Sequence, residues 1–218
     1  LQAVIEAARA VGRTEVMPRY LKVAHARKND GSLFTEADLA AQHALSLRLR
    51  EIADYPVLGE EMTEAEQQAV WDAGDSGFWC VDPIDGTTNF VYDHPGWSVS
   101  VAACAEGKPL AAAVVVPSLR RTYRAARGGG AYEDGRRLRL GEPPQLAGAL
   151  VATGFGYDAA RRAVQADVLR GLLPRVRDVR RMGAASVDLC SVAAGRVDAY
   201  YERGLSPWDM AAGVLLVR

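Results

Sequence analysis

The spacing of apolar residues predicts that the chain begins with helices. Residues 1–21 carry apolar side chains at intervals of three and four over much of their length, which is typical of a helix with one buried face. Residues 38–52 show a second helical pattern. The positions expected to form most of its buried stripe are Leu39, Leu45, Leu49 and Ile52. Between the two helices lies a turn-rich segment, residues 28–32, which favours a loop or a hairpin.

The middle of the chain is rich in apolar and β-branched residues, and we predict strands there. The predicted strands are 56–59, 78–81, 97–103, 109–116, 120–126, 131–132, 149–152 and 197–201. Further helices are predicted at 158–173, 184–194 and 208–217, and Gly195 is placed to end the second of them. This order of elements predicts an α/β chain in which two sheets are layered with helices.

A proline pair, Pro143-Pro144, suggests a boundary between an N-terminal α+β subdomain, residues 1–142, and a C-terminal α/β subdomain, residues 143–218. The net charge of −1 provides no positive field that would attract a nucleic acid or a membrane. The three cysteines are widely spaced, which argues against a disulfide framework or a zinc site and fits a cytoplasmic location. No apolar run reaches membrane-spanning length.

The segment with the clearest chemistry is Asp82-Pro-Ile-Asp85-Gly86, which follows a short apolar strand. We expect Pro83 to force a turn there, and Thr87-Thr88-Asn89 to open a helix just after it. Carboxylates at a strand end are oxygen ligands for a hard cation such as Mg²⁺, and free N–H groups at a helix start bind phosphate. By itself, this fragment is equally compatible with a turn that solvates its own carboxylates.

Three more acidic residues stand at the ends of predicted elements. Glu60 follows the strand at 56–59, while Asp38 and Asp209 stand at helix starts. Each has a purely structural alternative. Asp38 could cap its helix, Glu60 could be a solvated loop end, and Asp209 could be a first-turn acid favoured by the helix dipole.

Four motifs stand in order along the chain: Thr35-Glu-Ala-Asp38, Gly59-Glu60-Glu61, Trp79-Cys-Val-Asp82-Pro-Ile-Asp85-Gly-Thr-Thr-Asn-Phe90 and Pro207-Trp-Asp209-Met-Ala-Ala-Gly213. Together they resemble the inositol monophosphatase family of magnesium-dependent, lithium-sensitive phosphatases, and within it the inositol-1-monophosphatases. The resemblance implies an α-β-α-β-α sandwich of the sugar-phosphatase type, usually a homodimer. Because family members continue beyond the helix in which this chain stops, we expect the C-terminal part to be truncated.

The resemblance also implies roles for individual residues. Two or three Mg²⁺ ions would be bound by Glu60, Asp82, Asp85, Asp209 and the carbonyl of Ile84. The catalytic set would be Asp38, Thr87 and Glu60, with Asp38 and Thr87 orienting the attacking water. The substrate would contact Asp85, Ala185, Glu202, Asp209 and the N–H groups of Gly86, Thr87 and Thr88.

These roles predict hydrolysis of a small polyol phosphomonoester by metal-activated water, with myo-inositol 1-phosphate as the preferred substrate. The alternatives are a histidinol-phosphate or other sugar or nucleotide phosphate phosphatase of the same family, or a non-catalytic role in a transcription complex, which only the arginines at 175–181 suggest. His25, His43 and His94 are scattered, and we assign them no catalytic role.

Two other phosphate-handling classes fit less well. A haloacid-dehalogenase-type phosphatase has its two aspartates two residues apart, whereas Asp82 and Asp85 are three apart, which should place them on opposite strand faces. The glycines at 128–130 lack the lysine and hydroxyl residue of a nucleotide-binding P-loop and predict a hairpin turn instead.

Overall fold

A computed structural model describes residues 1–28 and 31–218, without the side chain of residue 75. Its helices are α1 Gln2–Val11, α2 Glu36–Ile52, α3 Glu64–Asp72, α4 Thr87–Val91, α5 Ala159–Leu172, α6 Ala185–Ala193 and α7 Pro207–Val217. Its strands are β1 His25–Arg27, β2 Leu33–Thr35, β3 Val57–Gly59, β4 Phe78–Asp85, β5 Ser98–Ala105, β6 Lys108–Val116, β7 Arg121–Ala126, β8 Gly130–Glu133, β9 Arg136–Arg137, β10 Leu150–Thr153, β11 Asp178–Arg180 and β12 Ala199–Tyr201. The layered α/β prediction is confirmed.

The strands form three sheets. Seven of them lie in the order β3-β4-β5-β6-β7-β8-β9, parallel only between β3 and β4. A parallel sheet of three has the order β11-β10-β12. The pair β1 and β2 is antiparallel and flanks the predicted turn at 28–32, of which residues 29 and 30 lie outside the described residues.

Helices cover both faces of the seven-stranded sheet. Trp79 and Val81 of β4 pack with α1 and α2, while Cys80 between them packs with α6 and α7. Burial on both faces explains why the central strands are apolar almost throughout, because neither set of alternating side chains reaches water. The sheet therefore holds its strand ends rigidly between two helical layers.

The buried stripe of α2 differs from the prediction. Leu45 and Leu49 are fully buried, but Leu39 is 50% exposed and Ile52 is 37% exposed. The buried apolar positions recur every four residues, at Ala37, Ala41, Leu45 and Leu49. Alanines near the start of the helix allow it to lie close to its neighbours. The prediction considered only large apolar residues and so did not count these alanines as part of the buried stripe.

The sequence pattern also missed several short elements. No described residue of α3 is buried, so this helix has no apolar stripe, and its start is fixed by a capping box between Thr63 and Glu66. Strand β11 has one half-buried residue between two exposed ones. After α1 the chain continues as a short π-helix, Gly12–Val16, and then as a 3₁₀ helix, Met17–Arg19.

Strands that precede Pro143 belong to the two-stranded and the seven-stranded sheets, and those that follow it belong to the three-stranded sheet. Helices α6 and α7 nevertheless pack on the seven-stranded sheet. The boundary at Pro143-Pro144 therefore stays a prediction. Within the described residues, no helix has the length and apolar character required to cross a bilayer.

Candidate functional site

Asp82 and Asp85 lie at the end of β4, but Pro83 does not form the expected turn. The strand runs on through Pro83, and its pairing with β5 shifts by one residue, so that Asp82 lies opposite Ser100 and Asp85 opposite Ser98. Such a bulge accommodates a proline that cannot donate to the ladder.

The bulge decides where the two carboxylates point. Ser98 and Ser100 are two apart on β5 and so share one face of the sheet. Residues directly opposite each other on antiparallel strands project to the same side, which places Asp82 and Asp85 on that face together. The expectation that their spacing puts them on opposite faces was therefore wrong, because it assumed a regular strand.

Gly86 turns the chain from β4 into α4. Its backbone is left-handed, with φ of +89°, and a Cβ added there would lie 2.9 Å from the Cβ of Ala184. Glycine is required at this point on both grounds. The turn carries Thr87 back towards the strand end, where its hydroxyl lies 3.1 Å from the carbonyl oxygen of Ile84 and 3.4 Å from Oδ1 of Asp38.

Asp38 is both a helix cap and a neighbour of Thr87. Its Oδ2 accepts hydrogen bonds from the backbone N–H and the hydroxyl of Thr35, at 2.7 and 2.8 Å, which completes the capping box of α2. Burial raises the pKa of Asp38 to about 7, against the lowering effect of the Thr35 hydrogen bonds. The structural and functional interpretations of this residue are thus compatible.

Glu60 follows β3 and is paired with a lysine that the sequence did not point to. Lys28 Nζ lies 2.8 Å from Glu60 Oε1 and 2.6 Å from Glu61 Oε1. Burial disfavours the charge on Lys28, but the two glutamates outweigh it and raise the pKa of the lysine. The site therefore contains an internal cation beside one of its carboxylates.

Two serines hold the carboxylates of Asp85 and Asp209. Oδ2 of Asp85 accepts hydrogen bonds from the N–H and the hydroxyl of Ser186, at 2.7 and 2.5 Å, and Oδ2 of Asp209 accepts one from the N–H of Ser206 at 2.6 Å. Ser186 belongs to α6 and is 101 residues from Asp85 in sequence, so local motifs gave no sign of it.

The carboxylates are buried close enough to repel one another. Burial is the main cause that raises the pKa of Asp82, and Glu60, Asp85 and Asp209 raise it further. Burial raises the pKa of Asp209 to about 8, again with Asp85 and Glu60 contributing. Burial also raises the pKa of Asp85 to about 6, although the Ser186 hydrogen bonds oppose it.

The donor set fits a hard divalent cation, since it consists of carboxylate and carbonyl oxygens whose repulsion such an ion would relieve. Among the described residues, no three His, Cys, Asp or Glu side chains already converge as a finished cage. Each of three carboxylates has one oxygen already engaged: Oδ2 of Asp85 and of Asp209 with serines, and Oε1 of Glu60 with Lys28.

A cavity of about 660 Å³ connects the carboxylates with the predicted substrate contacts. The predicted site residues that line it are Glu60, Asp82, Ile84, Asp85, Gly86, Thr87, Ala185, Glu202 and Asp209. Asp38 lies behind Thr87, and Thr88 lines a second cavity of about 640 Å³ instead, together with His94. None of the three histidines lines the first cavity.

Glu202 is held at the end of β12. The Tyr200 hydroxyl donates to its Oε2 at 2.5 Å, and a Cβ at Gly154 would overlap its carboxylate. Burial raises the pKa of Glu202, while Tyr200 and Arg181 lower it. Gly154 thus leaves the space in which this acceptor sits, a role that no sequence motif indicated.

Comparison with known proteins gives a consistent result. A family model for the inositol monophosphatase family matches residues 1–218. Over 187 residues the chain is 44% identical to inositol-1-monophosphatase SuhB of Mycobacterium tuberculosis, covering 84% of this chain and 64% of that protein. It is 42% identical over 194 residues to Nus factor SuhB of Pseudomonas aeruginosa, covering 84% of this chain and 68% of the relative.

The fold has solved counterparts. The crystal structure of extragenic suppressor protein suhB from Bartonella henselae superposes with a TM-score of 0.87 at 31% identity, covering all of this chain and 83% of that one. The chain spans 64% of the length of the relatives from Mycobacterium bovis and Mycobacterium tuberculosis.

Proposed function

Because the chain belongs to the inositol monophosphatase family, we propose that it hydrolyses a small polyol phosphomonoester with Mg²⁺, preferring myo-inositol 1-phosphate. One observation carries this proposal: a single cavity has buried carboxylates at one place and a hydrogen-bond acceptor for polyol hydroxyls, Glu202, at another. A phosphate ester of a small polyol matches both.

In this proposal two or three Mg²⁺ ions would be held by Glu60, Asp82, Asp85, Asp209 and the Ile84 carbonyl. When bound, the metal supplies a water of lowered pKa and neutralises charge on the leaving oxygen. Ser186 and Ser206 each fix one carboxylate oxygen, that of Asp85 and that of Asp209, and the second oxygen of each carboxylate would bind the metal.

Thr87 and Asp38 would position the attacking water. The Thr87 hydroxyl carries one proton, which it can donate to Asp38 Oδ1 or to the Ile84 carbonyl. Its lone pairs then remain free to accept a hydrogen bond from a water. The N–H groups of residues 86 to 88, at the turn and the start of α4, would hold the phosphate; of these residues Gly86 and Thr87 line the main cavity.

Selectivity for the polyol would come from Glu202 and Ala185. Glu202, which is half-buried, would offer an oxygen to ring hydroxyls, and leaving such an acceptor without a partner costs about 1–3 kcal/mol at most. This supports a moderate preference for inositol phosphate with tolerance of other polyol phosphates, and keeps histidinol phosphate as the alternative substrate.

A phosphate-release assay over a panel of substrates tests the proposal. The panel contains myo-inositol 1-phosphate, glycerol 2-phosphate and histidinol phosphate, each with Mg²⁺, with EDTA and with Mg²⁺ plus Li⁺. We expect the highest kcat/KM for inositol phosphate, loss of activity in EDTA and inhibition by Li⁺. Activity that persists in EDTA would refute the metal mechanism, and a higher kcat/KM for histidinol phosphate would refute the substrate preference.

The family also leads us to propose a homodimer in the cytoplasm. Light scattering coupled to gel filtration would give a mass of twice 23.4 kDa if the dimer forms. A mass of one chain would contradict it.

A second candidate is a role in a transcription complex, since relatives from Pseudomonas aeruginosa and Pasteurella multocida carry the name Nus factor SuhB. The arginines at 175–181 would be the contact surface, although Arg180 is already paired with Asp178 at 2.6 Å. An Asp82→Asn variant that keeps cellular function without phosphatase activity would favour this candidate.

A further inference from the structure

Glu60, one of the proposed metal ligands, lies in a turn just past the end of β3. The strand ends at Gly59, and α3 begins only at Glu64. Because this turn lies outside the sheet ladder, the carboxylate of Glu60 has a fixed direction only if other groups hold the backbone of the turn. Groups that orient a metal ligand in this way contribute to metal affinity although they never touch the ion.

Two glutamines bind the backbone of this turn from different helices. Oε1 of Gln42, on α2, accepts a hydrogen bond from the N–H of Glu61 at 2.9 Å. Nε2 of Gln67, on α3, donates to the carbonyl oxygen of Gly59 at 3.0 Å and to that of Glu60 at 3.4 Å. The peptide group between Glu60 and Glu61 thus has one glutamine partner at its N–H and another at its carbonyl.

Gln42 is the more deeply buried of the two glutamines. It is 9% exposed, whereas Gln67 belongs to a helix in which no described residue is buried. A Cβ at Gly59 would overlap Oε1 of Gln42 and lie 2.8 Å from its Cδ. The missing side chain at position 59 therefore leaves the space through which the amide of Gln42 reaches the turn.

The same face of α2 reaches a second part of the site. Asp38 precedes Gln42 by four residues, so the two side chains lie on one face of the helix, and both are buried. Oδ1 of Asp38 lies 3.4 Å from the hydroxyl of Thr87, the first residue of α4. One helix thus contacts both the start of α4 and the turn that carries Glu60, through side chains one helical turn apart.

We propose that Gln42 is a positioning residue for Glu60 and sets the affinity of the site for Mg²⁺. It holds the turn in place, so that the backbone beneath the Glu60 carboxylate need not be ordered when the ion binds. The inference rests on the proposed function, which assigns Glu60 to the metal. Loss of a group that orients a metal ligand typically weakens metal binding by about 10–100-fold.

Isothermal titration calorimetry of Mg²⁺ into the metal-free protein measures this affinity without turnover. The test variant is Gln42→Met, which keeps the length of the side chain but removes the oxygen that accepts the Glu61 N–H. We expect its Kd for Mg²⁺ to rise by about tenfold or more. Gly59→Ala, which displaces the amide of Gln42 from the other side of the contact, should raise the Kd in the same way and serves if Gln42→Met does not fold.

Two controls separate positioning from other effects. Gln68→Met makes the same change at an exposed position of α3, where the amide donates to Asp72 at 2.7 Å. Leu49→Val removes a buried methylene from α2, two helical turns beyond Gln42, and so destabilises the fold without touching the turn. We expect both controls to keep the wild-type Kd for Mg²⁺, although Leu49→Val should lower Tm.

Steady-state kinetics provides a second readout. Gln42→Met should raise the Mg²⁺ concentration required for half-maximal phosphate release, while saturating Mg²⁺ restores most of kcat. An equal loss of kcat at every Mg²⁺ concentration would overturn the role of Gln42. A Kd that Gln42→Met and Gly59→Ala leave unchanged, or that a control raises as much, would also overturn it and leave the proposed function standing. If Mg²⁺ does not bind the wild type, the proposed function fails and the role of Gln42 fails with it.

Discussion

Replacing Asp188 by asparagine should change how the stability of the metal-free protein depends on pH. Asp188 lies on α6, is 1% exposed, and its Oδ1 has no hydrogen-bond partner in the described structure. Burial raises its pKa from 3.8 to about 8, and Asp85 and Glu202 add to this, while Arg181 opposes it. The folded state therefore holds Asp188 protonated near neutral pH.

The magnitude follows from proton linkage. In the unfolded chain Asp188 ionises near its ordinary pKa, so between pH 5 and 7 the folded protein binds one proton more. A pKa raised by folding makes stability fall as pH rises across this window, by about 1.4 kcal/mol per pH unit for one group. The amide introduced by Asp188→Asn cannot ionise, and neighbouring carboxylates titrate together. We therefore expect the free energy of unfolding of Asp188→Asn, relative to that of the wild type, to increase by about 1–3 kcal/mol from pH 5 to pH 7.

Urea denaturation in EDTA at pH 5, 6 and 7 measures this difference. The comparison uses the change in free energy of unfolding with pH. It therefore removes any pH-independent cost of placing an amide at position 188. The control is Asp167→Asn on α5, whose side chain is 73% exposed and remote from the buried cluster. A difference between wild type and Asp188→Asn that stays constant with pH would refute the reasoning.

Three further predictions concern the cavity. Gly86→Ala should abolish phosphate release and destabilise the protein by about 1–2 kcal/mol or more, because residue 86 is left-handed and has no room for a Cβ; unchanged urea stability would contradict this. Gly154→Ala should raise KM for inositol phosphate by about tenfold by displacing Glu202, and should affect glycerol 2-phosphate less; equal effects in steady-state kinetics would contradict it. Mg²⁺ should raise Tm more at pH 8 than at pH 5, because burial raises the pKa of Asp209 to about 8 and a protonated ligand binds metal poorly; a larger gain at pH 5 in a thermal shift assay would contradict it.

The parts of the site that sequence could predict are those that lie in contiguous motifs. Asp82 and Asp85 follow an apolar strand, and Asp38 and Asp209 occupy the third position of helices whose caps are Thr35 and Ser206. Local hydrogen bonds fix these positions, so the neighbouring residues in sequence are sufficient to predict where these carboxylates lie.

The supporting residues could not be found in the same way. Ser186 reaches Asp85 across 101 residues and Lys28 reaches Glu60 across 32, and both contacts depend on how the layers pack. Gly154 lies next to Glu202 only because β10 and β12 pair in parallel. The bulge at Pro83 is equally a property of the β4 and β5 ladder, and it reversed the inference drawn from regular strand geometry.

Binding of Mg²⁺ by the buried carboxylates, for hydrolysis of a phosphomonoester, is tested most directly by one measurement. Phosphate release from myo-inositol 1-phosphate is followed as Mg²⁺ is titrated into metal-free wild type and into Asp82→Asn. We expect saturable, EDTA-reversible activation of the wild type and a loss of about a hundredfold or more in the variant, since a ligand at the reacting centre is removed. Equal activation of both proteins, or activity without Mg²⁺, would contradict it.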